Sequence, residues 1–202
     1  MKVRESGMPE ENMCKEFFNP KDIFKTLGID NRVGDIADFG CGYGNFTIPA
    51  AKIVKGKVYA IDIEPEMIKE TQRKARENKL GNVETILRDF MSNGSGLKDK
   101  SVDYVMLFNI LHAEKPEKLL GEAYRILRAG GKLGIIHWNY DPTTPRGPPM
   151  KMRLKPEQVI NLSVKSGFNS PIIYDIKPYH YGITMKKAKT KQGEPDALNY
   201  SI

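Results

Sequence analysis

The sequence is poor in cysteine, and it contains no long apolar run. Its two cysteines, Cys14 and Cys41, form neither a metal-binding spacing nor a disulfide framework. We therefore expect no metal site and a reduced, cytoplasmic setting. No stretch approaches the ~20 apolar residues that cross a bilayer. Residues 1–20 are charged and lack the apolar core of a signal peptide. These absences argue against a membrane-spanning chain and against a disulfide-stapled secreted scaffold.

Acidic charge is also in the minority. Lysine and arginine number 32 against 25 aspartates and glutamates, which gives a net charge of +7. Residues 186–202 carry four lysines against Glu194 and Asp196, so this segment supplies +2 and the rest about +5. No arginine-rich stripe with interleaved aromatic residues accompanies the charge. Nucleic acid therefore stays open as a partner but is not favoured over a solvated basic surface.

Three glycines at alternate positions, Gly40, Gly42 and Gly44, form the most informative stretch. An apolar run within residues 33–39 leads into them, and residues 46–54 have the pattern of a helix. A strand, a tight glycine turn and a helix bring backbone N–H groups and a helix N-terminus to one point, which suits an anionic group. An ordinary strand-to-helix turn also uses glycine, so the motif needs support from elsewhere in the chain.

A carboxylate supplies that support. The predicted strand at residues 57–61 ends on Asp62, roughly 20 residues after the glycine turn, where nucleotide-binding folds place an acid against ribose hydroxyls. The dinucleotide fingerprint Gly-x-Gly-x-x-Gly does not fit, because Asn45 occupies its third glycine position. Asp38, two residues before the first glycine, is a further departure. The pattern predicts a nucleotide-type ligand at a site different from a dinucleotide site.

Strand and helix patterns alternate along the chain, which is typical of a parallel, doubly wound sheet. The predicted strands are residues 33–39, 57–61, 83–87, 102–108, 132–138, 172–176 and 179–185. The predicted helices are residues 46–54, 64–78, 116–129 and 156–165, with Gly130-Gly131 expected to end the third. Residues 92–96 are predicted to be a flexible loop, and residues 139–149 a polar, proline-rich one.

The chain divides into three predicted segments. Residues 1–29 are expected to be an N-terminal arm and helical lid, with its amphipathic part interrupted at Asn19-Pro20. Residues 30–185 form the ligand-binding domain, a size that suits one core. Residues 186–202 are expected to be a basic, flexible tail.

Together these motifs resemble the class I S-adenosylmethionine-dependent methyltransferases. The first motif of that family is an acid, one spacer and Gly-x-Gly-x-Gly, as in residues 38–44 here. Later landmarks are Asp62, Arg88-Asp89-Phe90, residues 102–109 and residues 127–133. The resemblance covers residues 30–185 and is closest to small-molecule enzymes of the quinone-biosynthesis type. It implies an α/β, Rossmann-like, doubly wound three-layer sandwich around a mostly parallel seven-stranded sheet with an antiparallel last strand.

The resemblance also implies a cofactor, S-adenosyl-L-methionine, with S-adenosyl-L-homocysteine as the product. Gly40, Cys41, Gly42 and Gly44 would make room for its methionine part, and Asp38 would order that turn or meet the ammonium through water. Asp62 would accept hydrogen bonds from both ribose hydroxyls. The other expected contacts are Ile63 and Met67 on the adenine face, Asp89 with Phe90 at the adenine amino group, and Asn109 at cofactor or substrate.

Methyl transfer from a sulfonium is an in-line displacement, so much of the catalysis can come from positioning. A base is needed only where the nucleophile arrives protonated with a high pKa. His112 and His137 are the favoured base candidates because they follow predicted strands four and five. The other candidates near this edge are Tyr140, Tyr179, His180 and Tyr181. Asn109 is not followed by Pro-Pro-aromatic, which argues against methylation of exocyclic amino groups, and two cysteines argue against arsenite methylation.

Three functions stay open at this point. The leading one is a small-molecule methyltransferase whose acceptor enters between the N-terminal segment, with Arg4, Glu5 and Ser6, and the loop at residues 139–149. A methyltransferase acting on RNA or protein is suggested by the positive charge and the lysine-rich tail. A non-catalytic module that keeps the cofactor fold is the third, because fold does not fix function. The acceptor atom and the oligomeric state are not decided by the sequence.

Overall fold

The computed structural model describes residues 18–145 and 147–188, which form seven β-strands and six α-helices. The strands are β1 Ile36–Phe39, β2 Val58–Asp62, β3 Val83–Leu87, β4 Val102–Phe108, β5 Leu127–Trp138, β6 Phe168–Ile176 and β7 His180–Lys187. The helices are α1 Pro20–Leu27, α2 Thr47–Ala51, α3 Pro65–Glu77, α4 Phe90–Asn93, α5 Pro116–Ile126 and α6 Pro156–Lys165. The predicted arm, with Arg4, Glu5 and Ser6, and most of the predicted tail lie outside the described residues.

All seven strands belong to one sheet, in the order β3-β2-β1-β4-β5-β7-β6. Strands β1 to β5 pair in parallel, whereas β7 lies antiparallel between β5 and β6. The chain moves outward from β1 to β3 and then returns to β4, so the strand order reverses between β1 and β4. Ligands of open α/β sheets bind outside the carboxyl ends of the strands at such a reversal. The predicted fold class is confirmed, including the antiparallel last strand.

Helices cover both faces of the sheet and make it a three-layer structure. Leu119 of α5 and Val159 of α6 are buried on one face, and Phe24 of α1 is buried on the other. Strand β4 contributes side chains to the hydrophobic core on each face: Val105 to the first and Tyr104 to the second. Successive side chains of a strand point to opposite faces. This double burial explains why β4 is a nearly continuous apolar run.

Helix α1 begins at the predicted Asn19-Pro20 interruption. The Asn19 side chain accepts a hydrogen bond from the backbone N–H of Lys21 at 3.1 Å, and Pro20 is the first helical residue. Both are favoured at a helix start. The helix ends at Gly28 in the left-handed conformation, with φ of 73°. Local sequence therefore fixes both ends of the helix that carries the chain from the N-terminal segment onto the sheet.

A buried hydrogen bond ties α1 to β4, and we expect its removal to lower stability. The fully buried Tyr104 hydroxyl donates to the Leu27 carbonyl at 3.0 Å. Tyr104→Phe keeps the ring but removes this donor, so we expect the free energy of unfolding to fall by about 1 kcal/mol in urea denaturation. Tyr59→Phe is a matched control, because no hydrogen bond of its hydroxyl occurs within the described residues. Equal losses in the two variants would show that the Tyr104 bond contributes nothing.

The prediction that Gly130-Gly131 ends a helix is wrong. Helix α5 stops at Ile126, and β5 starts at the next residue. The pairing of β4 with β5 shifts register there: Val102 lies opposite Leu127, whereas Tyr104 lies opposite Lys132. The extra residues of β5 form an irregularity in which Gly130 has φ of 78°. These glycines therefore serve a strand irregularity, where left-handed backbone is also needed.

Other boundaries also differ from expectation. Strand β6 begins at Phe168 instead of residue 172. Its first part was not predicted because it is polar and irregular, with a register shift and Ser170 at φ of 54°. Strand β7 extends to Lys187, beyond residue 185. Strand β1 begins three residues later than predicted, and α2 is shorter than residues 46–54. Residues 92 and 93, the first two of the expected flexible loop at residues 92–96, belong instead to α4, which ends at Asn93.

The described part of the chain contains no helix with the length and apolar character that crossing a bilayer requires.

Candidate functional site

The glycine turn follows β1 at the strand-order reversal. Gly40, Gly42 and Gly44 have φ of 68°, 52° and 75°. Side chains disfavour this left-handed region, so the conformation itself requires glycine at these alternate positions. The N–H groups of Gly40 and Cys41 both donate to the Ile61 carbonyl, at 2.8 and 3.1 Å. The turn is thereby held against the end of β2.

Asp62, the last residue of β2, completes this attachment. Its Oδ2 accepts a hydrogen bond from the Gly42 N–H at 2.9 Å, and its Oδ1 accepts one from the Glu64 N–H at 3.0 Å. The side chain is buried, and burial raises the pKa of the carboxyl above its usual range. A carboxylate has about four acceptor sites. Gly42 and Glu64 use two of these sites, and the Ile63 N–H also interacts with the carboxyl group. The remaining capacity can accept a hydroxyl donor from a ligand.

Asp38 joins β1 to α2. Its Oδ2 accepts a hydrogen bond from the Thr47 hydroxyl at 2.6 Å, and the carboxyl is buried. Burial raises the pKa of Asp38 to about 7, with a smaller contribution in the same direction from the charge of Asp62. This hydrogen bond joins the end of β1, before the glycine turn, to the start of α2, after it. Such a link is suited to order the turn.

The buried Asp38 should make stability depend on pH. Its pKa of about 7 lies above the ordinary 3.8, so the folded chain keeps a proton that the unfolded chain loses. The resulting stabilisation is full below about pH 4 and is lost as pH rises through about 7. We expect the free energy of unfolding contributed by Asp38 to fall by roughly 2 kcal/mol between about pH 5 and about pH 8.

Comparison with Asp38→Asn in urea denaturation at both pH values isolates this effect. The comparison is needed because burial lowers the pKa of His137 and of His180 to about 3. Those histidines therefore favour unfolding as pH falls below their ordinary pKa, which is the opposite trend. Parallel pH profiles of the original protein and the variant would show that Asp38 is ionised in the folded chain.

Helix α3 holds the glycine turn from its other side. The Thr71 hydroxyl donates to the Gly42 carbonyl at 3.0 Å, and the Lys74 ammonium donates to the Tyr43 carbonyl at 2.8 Å. Cys41 is buried, with its sulfur 3.9 Å from the Thr71 hydroxyl, and burial raises the pKa of the thiol. Thr71 and Lys74 were not predicted as site residues, since nothing in their helical spacing marks them as partners of a turn about 30 residues earlier.

Exposed apolar side chains surround the end of β2. Ile63, directly after Asp62, is 37% exposed, and Met67 in the first turn of α3 is half-buried. Leu87 is 55% exposed and lies in register with Asp62 on the neighbouring strand. Leu87 was not predicted; its position at the end of β3 was the available signal. Apolar groups beside a buried carboxylate suit a ligand with a polar sugar and a flat apolar ring.

Asp89 and Phe90 follow β3. The Asp89 Oδ1 accepts hydrogen bonds from the N–H groups of Met91 and Ser92, both at 3.1 Å, and so caps α4. The Phe90 ring is buried edge-on against Phe39, with centroids 5.4 Å apart. Its ring therefore belongs to the core. Phe90 is the first residue of α4, so its N–H has no intrahelical acceptor and is the group it can offer a ligand.

Asn109 follows β4, across the reversal from the glycine turn. Its N–H donates to the Ile136 carbonyl at 2.8 Å, and its φ of 54° places it in the left-handed region. Its Oδ1 is buried and has no hydrogen-bond partner among the described residues. Buried polar atoms are nearly always paired. The orphaned oxygen therefore fits a ligand that brings a donor to this point, as the ammonium or sugar of the expected cofactor does.

The two predicted base candidates differ in their surroundings. The Nδ1 of His112 is buried without a partner among the described residues, and burial lowers the pKa of the ring. His137 is fully buried, with its ring centroid 6.4 Å from that of His112. Its Nδ1 accepts from the Trp138 N–H at 2.8 Å, and its Nε2 faces the Leu154 N–H at 3.4 Å. A neutral imidazole has a single acceptor nitrogen, and the shorter contact identifies it as Nδ1. Because that nitrogen is already used by the backbone, the geometry favours a structural position for His137.

The other candidates are spread over the same edge. The Tyr181 hydroxyl donates to the Leu154 carbonyl at 2.8 Å, and burial raises the pKa of that phenol. Tyr140 is 51% exposed, and its ring lies 4.9 Å from the Lys155 ammonium. His180 is fully buried and packs against Trp138. The structure thus brings all three histidines of the chain to the carboxyl end of β4 and β5.

Arg153 closes the predicted loop at residues 139–149. Its guanidinium donates to the Pro148 carbonyl and to the Asp141 carbonyl, both at 2.9 Å. It also lies 5.6 Å from the Trp138 ring. This role of Arg153 was not predicted, because an arginine that binds backbone carbonyls of a preceding loop has no spacing signature. The loop is thereby folded back over the end of β5.

The described residues contain no group of three or more side chains arranged to hold a metal ion. A groove of about 310 Å³ opens at the opposite edge of the sheet, between α1 and β6, and includes Lys132 and Lys186. It is separate from the glycine turn and from the histidines.

Comparison with known proteins supports the interpretation of this geometry. Residues 36–131 match the model of a methyltransferase domain family. The demethylmenaquinone methyltransferase of Lactobacillus johnsonii is 33% identical over 129 residues, covering 62% of this chain and 51% of that protein. The aklanonic acid methyltransferase of a Streptomyces species is 33% identical over 136 residues, covering 65% of this chain and 60% of that protein. The chain spans about half the length of the curated relatives it matches.

A solved structure agrees with these relatives. The S-adenosylmethionine-dependent methyltransferase of Aquifex aeolicus superposes with a TM-score of 0.77 at 27% identity, covering 86% of this chain and 92% of that one. The matched region of the family model contains the glycine turn, Asp62, Asp89 and Asn109. The strand order, the acid-and-glycine motif and these similarities together confirm the predicted resemblance to the class I S-adenosylmethionine-dependent methyltransferases.

Proposed function

We propose that the protein transfers a methyl group from S-adenosylmethionine to a small-molecule acceptor. The observation that carries the proposal is the arrangement of Asp62, whose two oxygens hold the N–H groups of Gly42 and Glu64 and still have acceptor capacity free. This arrangement presents a buried carboxylate beside a glycine turn at the strand-order reversal. It matches a ligand with a ribose and a charged amino-acid part.

The proposed cofactor contacts follow the carboxyl edge of the sheet. Gly40, Cys41, Gly42 and Gly44 leave room for the methionine part, with Asp38 ordering the turn. Asp62 accepts from the ribose hydroxyls, and the orphaned Asn109 Oδ1 accepts from a donor of the cofactor or acceptor. The proposed adenine contacts are the side chains of Ile63, Met67 and Leu87, the free acceptor capacity of Asp89, and the N–H of Phe90.

When bound, the cofactor supplies an electrophilic methyl group on a sulfonium, and the leaving thioether is neutral. The chain's own contribution is then to hold the acceptor atom in line and to exclude water. His112 is the proposed base where the acceptor arrives protonated, because it follows Asn109 by three residues and its Nδ1 has no partner among the described residues. His137 is proposed to position His112 and the end of β5, since its acceptor nitrogen is already used by the Trp138 N–H.

The acceptor is proposed to enter between the N-terminal segment, residues 1–29, and the loop held by Arg153. Phe18, the first described residue, lies 4.5 Å from His180 in ring-centroid distance. The start of the described chain therefore lies beside His180. Both relatives named above carry the names of small-molecule methyltransferases, which supports an acceptor of that size. A cytoplasmic location is part of the proposal, because the reduced thiol chemistry inferred from two cysteines fits it.

The experiment is methyl transfer from methyl-labelled S-adenosylmethionine into three separate pools: a mixture of phenols and hydroxyquinones, total RNA, and total protein. We expect label in the small-molecule pool and S-adenosylhomocysteine released in equal amount. Label in RNA or protein alone would replace the small-molecule acceptor with the macromolecular one suggested by the +7 charge. Cofactor binding without label in any pool would support the non-catalytic module and contradict the proposal.

A further inference from the structure

His180 lies in an aromatic cluster that the cofactor contacts do not use. It is the first residue of β7, fully buried, and opposite Trp138 in the β5–β7 pairing. The ring centroid of Trp138 is 4.1 Å away, and that of Phe18 is 4.5 Å away. The imidazole is therefore packed between two larger rings. Neither ring offers a hydrogen-bond acceptor to it.

Both nitrogens of His180 are buried and without a hydrogen-bond partner among residues 18–145 and 147–188. A neutral imidazole carries one N–H donor and one lone-pair acceptor, and buried groups of this kind are almost always paired. Burial lowers the pKa of His180, with the charge of Arg153 acting in the same direction, so the ring is neutral. It therefore holds one unused donor and one unused acceptor. His137, by contrast, accepts a hydrogen bond from the Trp138 N–H at its Nδ1.

The cluster reaches back to the glycine turn. Phe46 comes two residues after Gly44, and its ring lies 5.5 Å from Phe18 and 4.8 Å from Phe108 in centroid distance. Phe108 is the last residue of β4 and directly precedes Asn109. Ring contacts thus connect the residues that follow the glycine turn to His180. A flat ligand in the place of Phe18 would therefore contact both Phe46 and His180.

Phe18 is the link between Phe46 and His180. It is only half-buried, although it contacts both His180 and Phe46. Phe18 directly precedes Asn19, the cap residue of α1, and does not belong to a strand. Phe18 is therefore a ring of the cluster that can move without disturbing the sheet or the glycine turn.

We propose that the methyl acceptor is a hydroxyl-bearing aromatic ring that takes the place of Phe18, packs tilted against His180 as Phe18 does, and forms a hydrogen bond with an unpaired nitrogen of that imidazole. This inference rests on the proposed function and names the acceptor class for the same site. A hydroxyl suits a neutral imidazole, because each group can donate one hydrogen bond and can accept another. Phe18 lies tilted by 52° against His180 at 4.5 Å between centroids. Offset or edge-on ring contacts at such distances are favourable, so the acceptor ring replaces the contact that Phe18 makes.

The test uses the three histidines of the chain as reporters. Nitrogen-15 NMR of the histidine side chains is recorded on the full chain loaded with S-adenosylhomocysteine, with His180→Phe used to assign its signals. Phenol is the probe, and toluene is the matched control because it has the same ring and lacks the hydroxyl. We expect phenol to shift a His180 nitrogen signal, and toluene to leave the nitrogen signals of that ring far less changed.

Two variants separate ring packing from hydrogen bonding. Phe18→Ala should tighten phenol binding about tenfold, since no side chain must be displaced. His180→Phe keeps an aromatic ring but has no nitrogen, so phenol binding should weaken about tenfold while toluene binding stays the same. Both variants should bind S-adenosylmethionine as the original protein does, because neither residue contacts the glycine turn or Asp62.

The inference is overturned if phenol leaves the His180 signals unchanged in the original protein and in Phe18→Ala while both bind the cofactor normally. Equal weakening of phenol and toluene by His180→Phe would also contradict it, since that result assigns His180 a packing role alone. Absence of cofactor binding is a different result, because it contradicts the proposed function itself.

Discussion

Asp62→Ala is expected to weaken binding of S-adenosylmethionine at least about 100-fold. The substitution removes the proposed acceptor of the ribose hydroxyls, and hydrogen bonds to a charged group contribute about 1.5–3 kcal/mol each. It also leaves the N–H groups of Gly42 and Glu64 without their carboxylate. We therefore expect the free energy of unfolding to fall by about 1–3 kcal/mol as well. Calorimetric titration and urea denaturation measure the two effects.

Two companion variants show whether the lost affinity comes from the site. Asp62→Asn keeps one acceptor oxygen, so most of the stability should return while affinity stays well below that of the original protein. Glu84→Ala removes a carboxylate from the neighbouring strand, where it pairs with Lys57 on the surface. Exposed pairs contribute little, so neither affinity nor stability should change measurably. Unchanged affinity in Asp62→Ala would remove Asp62 from the cofactor site.

Gly40→Ala is expected to disrupt the same site through the backbone. Gly40 has φ of 68°, and a Cβ there would lie 2.4 Å from Cδ1 of the buried Ile110. The left-handed conformation costs about 1–2 kcal/mol for a residue with a side chain, and overpacking adds about 1–3 kcal/mol. We expect a loss of about 2–4 kcal/mol in the free energy of unfolding and at least about tenfold weaker cofactor binding, because Ile110 adjoins Asn109.

Gly121→Ala is the matched control for this substitution. Gly121 is an exposed residue inside α5, and nothing lies within 4 Å of a Cβ built there. Alanine should therefore stabilise the helix by about 0.5–1 kcal/mol. Ile110→Val removes the clashing Cδ1, so adding it to Gly40→Ala should cost less than the two separate losses summed. Additive losses would show that the contact with Ile110 is not the cause.

Much of the fold could be predicted because its signals are local. Strand β4 is buried on both faces, so its apolar run marked both of its ends correctly. Proline and asparagine marked the start of α1. Gly130-Gly131 misled because glycine serves a helix end and a strand irregularity equally well, and only the register between β4 and β5 distinguishes them. The polar start of β6 was missed for a similar reason, since it is an edge strand with exposed residues.

The cofactor side of the site was easier to predict than the acceptor side. The glycines and Asp62 are separated by a spacing that reflects one strand–turn–helix–strand unit, and a single sequence carries that spacing. The aromatic cluster of Phe18, Trp138 and His180 joins three distant segments through the β5–β7 pairing. Arg153 likewise binds backbone carbonyls of a preceding loop. Such contacts depend on the strand order and register of the folded sheet, so no local sequence motif predicts them.

The central claim is tested most directly by calorimetric titration of the purified chain with S-adenosylmethionine and, separately, with NAD. Both ligands carry an adenosine, but they differ in what lies beyond the ribose. The account predicts micromolar binding of S-adenosylmethionine and no measurable binding of NAD, because Asn45 stands where a dinucleotide site needs its third glycine. No binding of S-adenosylmethionine, or tight binding of NAD, would contradict it.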